Sequence, residues 1–167
     1  MDAGIRSFKI EGRLKDVSYV KNVTAWYRLC IDKILRRRPE YARPSYGKVE
    51  LNFQPDPNRS FSRGFTSYFI HDSRERMASV HTPKSMGQLV GTVKDVRKGN
   101  CVVVSGVASF ANGDGLCYLD ADGKLRGFRV NRVEGNHLFL ADPVEIHPGT
   151  PLYRSFDQGW ERMMSKP

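Results

Sequence analysis

Three ionic side chains alternate near the start of the chain: Lys9, Glu11 and Arg13. In an extended segment that spacing puts all three on one face. Two cations there can grip an anionic substrate or a phosphate, and the carboxylate between them can orient either cation or accept a proton. The same spacing also fits a solvated face laced by salt bridges. A second constellation spans Asn58 to Phe69, where Arg59 and Arg63 alternate with Phe61, Phe65, Tyr68 and Phe69. Cations that hold phosphates beside rings that stack on bases are what single-stranded nucleic acid requires. The rings serve equally well as core, with the arginines as its rim. A third group, Arg36, Arg37 and Arg38, either contacts phosphates or complements the negative end of a helix dipole.

Other chemistries lack their signatures. There is no Gly-x-Ser-x-Gly elbow, no His-Glu-x-x-His helix and no Gly-x-x-x-x-Gly-Lys phosphate loop. His71, His81, His137 and His147 have no metal-ligand spacing, and the adjacent letters His71-Asp72-Ser73 do not make a triad, which distant segments normally assemble. Asp120-Ala121-Asp122-Gly123 lacks the later glycine and glutamate of a calcium loop and reads as a hairpin turn. Cys30, Cys101 and Cys117 are far apart without a Cys-x-x-Cys pair, so they read as free buried thiols. No metal or cofactor is expected in this chain.

Composition sets what must position these residues. With 40% hydrophobic and 11% aromatic residues, the 167-residue chain has enough apolar surface for one core or two small ones. The net charge of +9 is uneven: residues 1–85 carry 17 Lys and Arg against 9 Asp and Glu, whereas residues 86–167 carry 10 against 9. Attraction to an acidic partner therefore belongs to the first half. No apolar run approaches the ~18 residues that span a bilayer, and Met1 to Lys9 contains no signal-like stretch, so a cytoplasmic protein with no membrane partner is expected.

Alternation from Ile5 to Glu11 predicts a short strand ending at Gly12. A helix follows from Val17, capped by Asp16, with Val20, Val23, Tyr27, Cys30, Ile31 and Ile34 forming one apolar face. The arginine run closes it and Pro39 stops it. A strand over Lys48 to Phe53 and a turn at Pro55-Asp56-Pro57 come next. From Gly87 onward, strands are predicted at Gln88–Val96, Cys101–Val104, Gly115–Leu119, Gly127–Val133, His137–Leu140 and Pro151–Arg154, separated by turns such as Lys98-Gly99-Asn100 and Glu134-Gly135-Asn136. Asp157 to Ser165 suits a short helix with Trp160 and Met164 on one side. One strand and one helix cannot bury both their faces, so the opening segment reads as part of a larger domain, or its strand is an edge of the β-rich remainder. The fold expected is α+β, mainly β. A strand-helix remnant of a βα-barrel with a basic aromatic connector occupies residues 1–84, and a small closed β-barrel occupies 85–167.

The run from Gly4 to Lys15, followed by Tyr19-Val20-Lys21-Asn22-Val23 and Tyr27-Arg28, closely resembles the collagenase-like peptidase family U32. Phe53-Gln54-Pro55-Asp56-Pro57, Ser62-Arg63-Gly64-Phe65-Thr66, Pro83-Lys84-Ser85, Gly91-Thr92-Val93 and Leu152-Tyr153-Arg154-Ser155-Phe156-Asp157 are similar to that family's C-terminal region. The resemblance implies that Ser7 to Arg13 is a late strand of a catalytic βα-barrel, with Lys9, Glu11 and Arg13 as parts of a larger site. It also implies an accessory barrel similar to the second domain of elongation factor Tu. Family members that modify RNA use prephenate to hydroxylate a pyrimidine in ribosomal or transfer RNA. Their iron-sulfur cysteines lie upstream of this run and are not matched by Cys30, Cys101 or Cys117, which assigns any cluster to a full-length parent.

The leading expectation is a chain, not catalytic alone, that positions substrate or RNA for that parent. RNA and the missing N-terminal catalytic region are its expected partners, and Arg36, Arg37, Arg38, Arg59, Phe61, Arg63 and Phe65 are the candidate RNA contacts. The alternatives are part of a prephenate-dependent RNA hydroxylation enzyme, an intact protease using Lys9 or Glu11, and a structural assembly module.

Overall fold

A computed structural model describes residues 2–5, 7–62 and 85–166. Helix α1 (Val17–Arg37) and a 3-10 turn (Pro57–Arg59) precede β1 (Gln88–Arg97), β2 (Cys101–Ser105), β3 (Gly115–Leu119), β4 (Leu125–Glu134), β5 (His137–Leu140) and β6 (Pro151–Phe156). Helix α2 (Gln158–Met164) ends the chain. The strands form a closed barrel in the order β1-β2-β5-β4-β3-β6, with every neighbouring pair antiparallel. Thus the protein is mainly β, with two helices beside a six-stranded barrel.

The barrel follows from alternation and turn chemistry. Val90, Val93, Val102, Val104, Leu116, Leu138 and Leu152 point inward and are buried, while their strand neighbours are mostly polar or small. Gly99 (φ 77°) and Asn100 (φ 54°) turn the β1–β2 hairpin, and Gly135 (φ 61°) turns β4 into β5. Register shifts within the β1–β2, β1–β6, β3–β6 and β4–β5 pairs bend the strands enough to close so small a cylinder. At the barrel entrance, Gly87 passes so near β6 that a Cβ there would lie 1.8 Å from the Arg154 carbonyl oxygen. Burial pushes the Tyr118 hydroxyl's pKa up, and that hydroxyl donates to the Glu145 carbonyl at 2.9 Å.

All six barrel strands form within two residues of their expected bounds, and α2 buries Trp160 and Met164. Two other expected strands do not form. Residues 7–11 and 48–53 belong to no strand, because alternation creates a strand only where a neighbour supplies backbone partners. A closed barrel has no free edge, which also removes the edge-strand alternative for the opening segment.

Helix α1 begins where Asp16 accepts a hydrogen bond from the Tyr19 amide at 2.7 Å. It ends at Arg38, which precedes Pro39 and leaves the helical region (φ −127°, ψ 83°). Its burial is the reverse of its hydropathy. Ser18, Asn22 and Ala25 are its buried residues, whereas Val20, Tyr27 and Ile34 are exposed. The apolar face predicted from spacing is present, but the chain packs against the opposite, polar edge.

Among the described residues, the barrel's buried core draws on residues between Val90 and Leu152. We propose a domain boundary near Ser85, so that residues 85–167 fold alone. That segment is expected to show one cooperative thermal transition and a dispersed amide spectrum. A broad, non-cooperative melt would show that α1 and the connector are needed.

Candidate nucleic-acid interface

The opening segment lies along the exposed face of α1. Phe8 and Ile10 share a groove of about 880 Å³ with Val23, Tyr27, Ile31 and Ile34. Lys9 and Glu11 sit on its rim as an ion pair at 3.2 Å, with side chains 85% and 64% exposed. Arg13 is exposed and forms no ion pair among the described residues. Beyond it, the Gly12 carbonyl accepts from the Lys15 amide at 3.0 Å in a turn that puts Leu14 at φ 58°. The segment passes close to the helix at Gly12, where a Cβ would stand 2.9 Å from Val20 Cγ2 and would push that side chain aside. The three candidate catalytic residues therefore share one segment; Ser7, Thr24 and Cys30 line the same groove, but among the described residues none of them is hydrogen-bonded to Lys9, Glu11 or Arg13.

The arginines after α1 have different roles. Arg38 donates to both Asp2 carboxylate oxygens (3.0 and 3.2 Å), pairs with Glu40 and lies 5.2 Å over the Tyr41 ring. Hydrogen bonds from Arg38 and from the Tyr41 hydroxyl, with the Arg38 charge beside them, hold the Asp2 carboxyl down to about 2. Arg38 thus ties the chain start to the helix end. Arg36 donates only its Nε, to the Asp32 carbonyl at 3.3 Å, and Arg37 makes no ion pair among the described residues.

Arg59 occupies a structural junction. Its guanidinium stands 3.9 Å from Asp56 and 3.7 Å from Asp157, and lies 4.9 Å over the Trp160 ring. Phe61 is partly buried beneath the Lys15 ammonium, 3.3 Å from its centroid. Arg63, Phe65 and the His71-Asp72-Ser73 letters lie outside the described residues.

Spacing did not reveal the network behind Arg59. Arg154, with a side chain only 10% exposed, reaches Asp157 at 3.0 Å and Asp114 at 3.5 Å, donates to the Ser109 carbonyl and stacks on Phe110. Asp114 is 1% exposed and accepts from the Ala111 and Gln158 amides at 3.0 and 2.9 Å. Asp157 caps α2 by accepting from the Trp160 amide at 2.9 Å. Connector, barrel and α2 are thereby joined through four alternating charges. Asn22 makes a parallel joint between α1 and the connector, through Asp56 and Ser60.

No group of three or more metal-ligating side chains occurs among the described residues. Cys30 is half-buried on α1, whereas Cys101 and Cys117 are buried in different barrel strands, so they do not fit the ligand set of an iron-sulfur cluster. Burial pushes the Cys117 thiol's pKa up, away from the reactive thiolate. Among the described residues no helix is long and apolar enough to cross a membrane.

The chain is 41% identical to the 23S rRNA 5-hydroxycytidine C2501 synthase of Escherichia coli (strain K12), across 99% of its own length and 26% of that protein's. It is 25% identical to the tRNA hydroxylation protein P of the same organism, covering 87% of this chain and 30% of that protein. Every barrel strand lies inside the span aligned with the synthase, so the likeness extends past the opening helix. The tRNA hydroxylation protein P2 of Bacillus subtilis (strain 168) is 41% identical over 39% of the chain and 21% of its own length. The chain therefore spans about a quarter to a third of the first two relatives. These proteins are named for RNA modification, which gives the protease alternative no support. No solved structure matches the chain. Residues 1–79 match the model described as Peptidase family U32, and the chain belongs to that family as a C-terminal portion.

Proposed function

We propose that this chain is the C-terminal part of an RNA-hydroxylating enzyme, with prephenate as the implied co-substrate, and that it positions RNA without holding a complete catalytic centre. The observation that carries the reading is its 41% identity, over 99% of the chain, to an rRNA hydroxycytidine synthase. Helix α1 supports it. An apolar helix face normally packs against another layer, yet Tyr27 is 53% exposed and Ile34 is 39% exposed. The remainder of the U32 domain is the layer that this face is built to meet, and it would bring Lys9, Glu11 and Arg13 to the edge of a larger site.

Deleting the coding region that contains this chain should remove a hydroxylated pyrimidine from ribosomal or transfer RNA, as read by mass spectrometry of digested nucleosides. Restoring the unaltered region should return it. The Val23→Asp/Ile31→Asp variant should not, because two carboxylates would oppose the apolar contact. An unchanged nucleoside profile in the deletion strain would overturn the reading.

A further inference from the structure

We infer that the edge of α1 carrying Arg36, together with Arg43 of the following loop, forms a phosphate-binding track for RNA. This rests on the RNA-modification reading above and assigns its contacts to particular residues. At about 100° per residue, positions 21, 28, 32 and 36 fall within an arc of about 80°, on the side away from Val23, Tyr27, Ile31 and Ile34. Lys21, Arg28 and Arg36 therefore share one edge, and Arg43 joins them beside Asp32. Arg28, Arg36 and Arg43 gather around Asp32, three cations to one carboxylate, whereas Asp16 and Glu50 line the cavity at the Lys21 end, so the surplus positive charge lies toward Arg36 and Arg43. Arg28 borders the apolar groove assigned to the rest of the domain, whereas Arg36 and Arg43 do not line it.

The hydrogen bonds separate holders from contacts. Asp32 accepts both arms of the Arg28 fork, at 3.1 and 2.6 Å, so that guanidinium is committed within the helix. Lys21 is committed to the Met164 carbonyl at 2.9 Å. Arg43 Nε stands 4.0 Å from Asp32, is buried and makes no hydrogen bond. Arg36 uses only its Nε, on the Asp32 backbone carbonyl. Among the described residues, both terminal groups of Arg36 and those of Arg43 thus make no hydrogen bond, while the Arg43 Nε is itself buried beside Asp32. A phosphate offers several charged acceptor oxygens, and planar guanidinium forks suit them. Arg38 and Arg59, by contrast, already face two carboxylates each.

The test is titration of a labelled, unstructured RNA with the full 167-residue chain at several salt concentrations. On a single strand each neutralised phosphate contributes about −0.7 to the log-log slope, or roughly fivefold in affinity at about 0.1 M salt. Arg36→Gln/Arg43→Gln should flatten the slope by about 1.4 and weaken binding roughly 25-fold at that salt. Arg36→Lys/Arg43→Lys should keep most of the slope, and Arg38→Gln should leave it unchanged. Thermal melts of each variant separate lost contact from lost fold. Parent and double glutamine variant binding RNA with equal slopes would overturn the assignment while leaving the RNA-modification reading standing. So would competition by poly-glutamate as effective as competition by unlabelled RNA, which would mark the track as a site for acidic protein. A nucleoside profile unaffected by deletion would instead remove the reading beneath it.

Discussion

Replacing Arg154 with methionine is expected to destabilise the protein by about 3–5 kcal/mol, read from the shift of its urea transition at constant slope. The side chain is 10% exposed and stands between Asp157 at 3.0 Å and Asp114 at 3.5 Å. Methionine fills comparable space over Phe110 but donates nothing. Asp114 would then remain as a buried carboxylate whose remaining bonds come from two backbone amides. Removing one member of a buried pair costs far more than the pair's net contribution, because the other charge stays out of water. Arg59→Met provides the contrast within the same network. Its side chain is 38% exposed and its carboxylates are 3.7 and 3.9 Å away, so the ion pairs contribute about 0–1 kcal/mol. Equal costs for the two variants would show that the network acts as one unit instead of being centred on Arg154.

The difference between those arginines explains what could be read from the chain alone. The barrel was legible because its instructions are local. Inward valines and leucines alternate along short segments, and Gly99, Asn100 and Gly135 supply the positive φ that the hairpins require. The Asp16 cap was equally local, accepting from an amide three residues on, and Asp157 does the same for α2. Long-range pairing was not legible. Arg59 alternates with rings along the sequence, a pattern that suggests phosphate contact, whereas its neighbours in space include Asp157 and Trp160 from the chain's far end. Arg154 lay inside a quoted family motif, but its dependence on Asp114 is invisible to spacing. The segment before Gly12 shows the limit of periodicity: Phe8 and Ile10 alternate as in a strand and face an apolar helix, yet no strand beside them supplies a ladder. The expected RNA contacts at Arg36, Arg37 and Arg38 were a single run in sequence, and only geometry divides them into a committed Arg38 and a less committed Arg36.

Asn22→Ala should cost about 2–4 kcal/mol, because it strands polar groups at the joint between α1 and the connector. Asn22 is 0% exposed. Its amide nitrogen donates to the Asp56 carbonyl at 2.7 Å and to the Ser60 hydroxyl at 2.5 Å, while its oxygen accepts from the Asp56 amide at 2.8 Å. Alanine keeps the helix but leaves the Asp56 amide and carbonyl without these partners. The joint fixes the connector beside α1 just before the 3-10 turn that carries Arg59, so loosening should appear first as faster amide exchange around residues 56–60. Asn22→Asp sharpens the test because it retains the acceptor and the shape. Its carboxyl, buried against a carbonyl, should have a pKa raised above the ordinary value of about 4. The neutral acid can still donate, so relative to the Asn22 parent this variant should be most stable below that ordinary value and lose stability as pH rises through the raised one. Urea titrations across that window read the sign directly. An aspartate variant that does not lose stability relative to the parent as pH rises would mean that residue 22 reaches solvent, and that α1 is not anchored to the connector through this side chain.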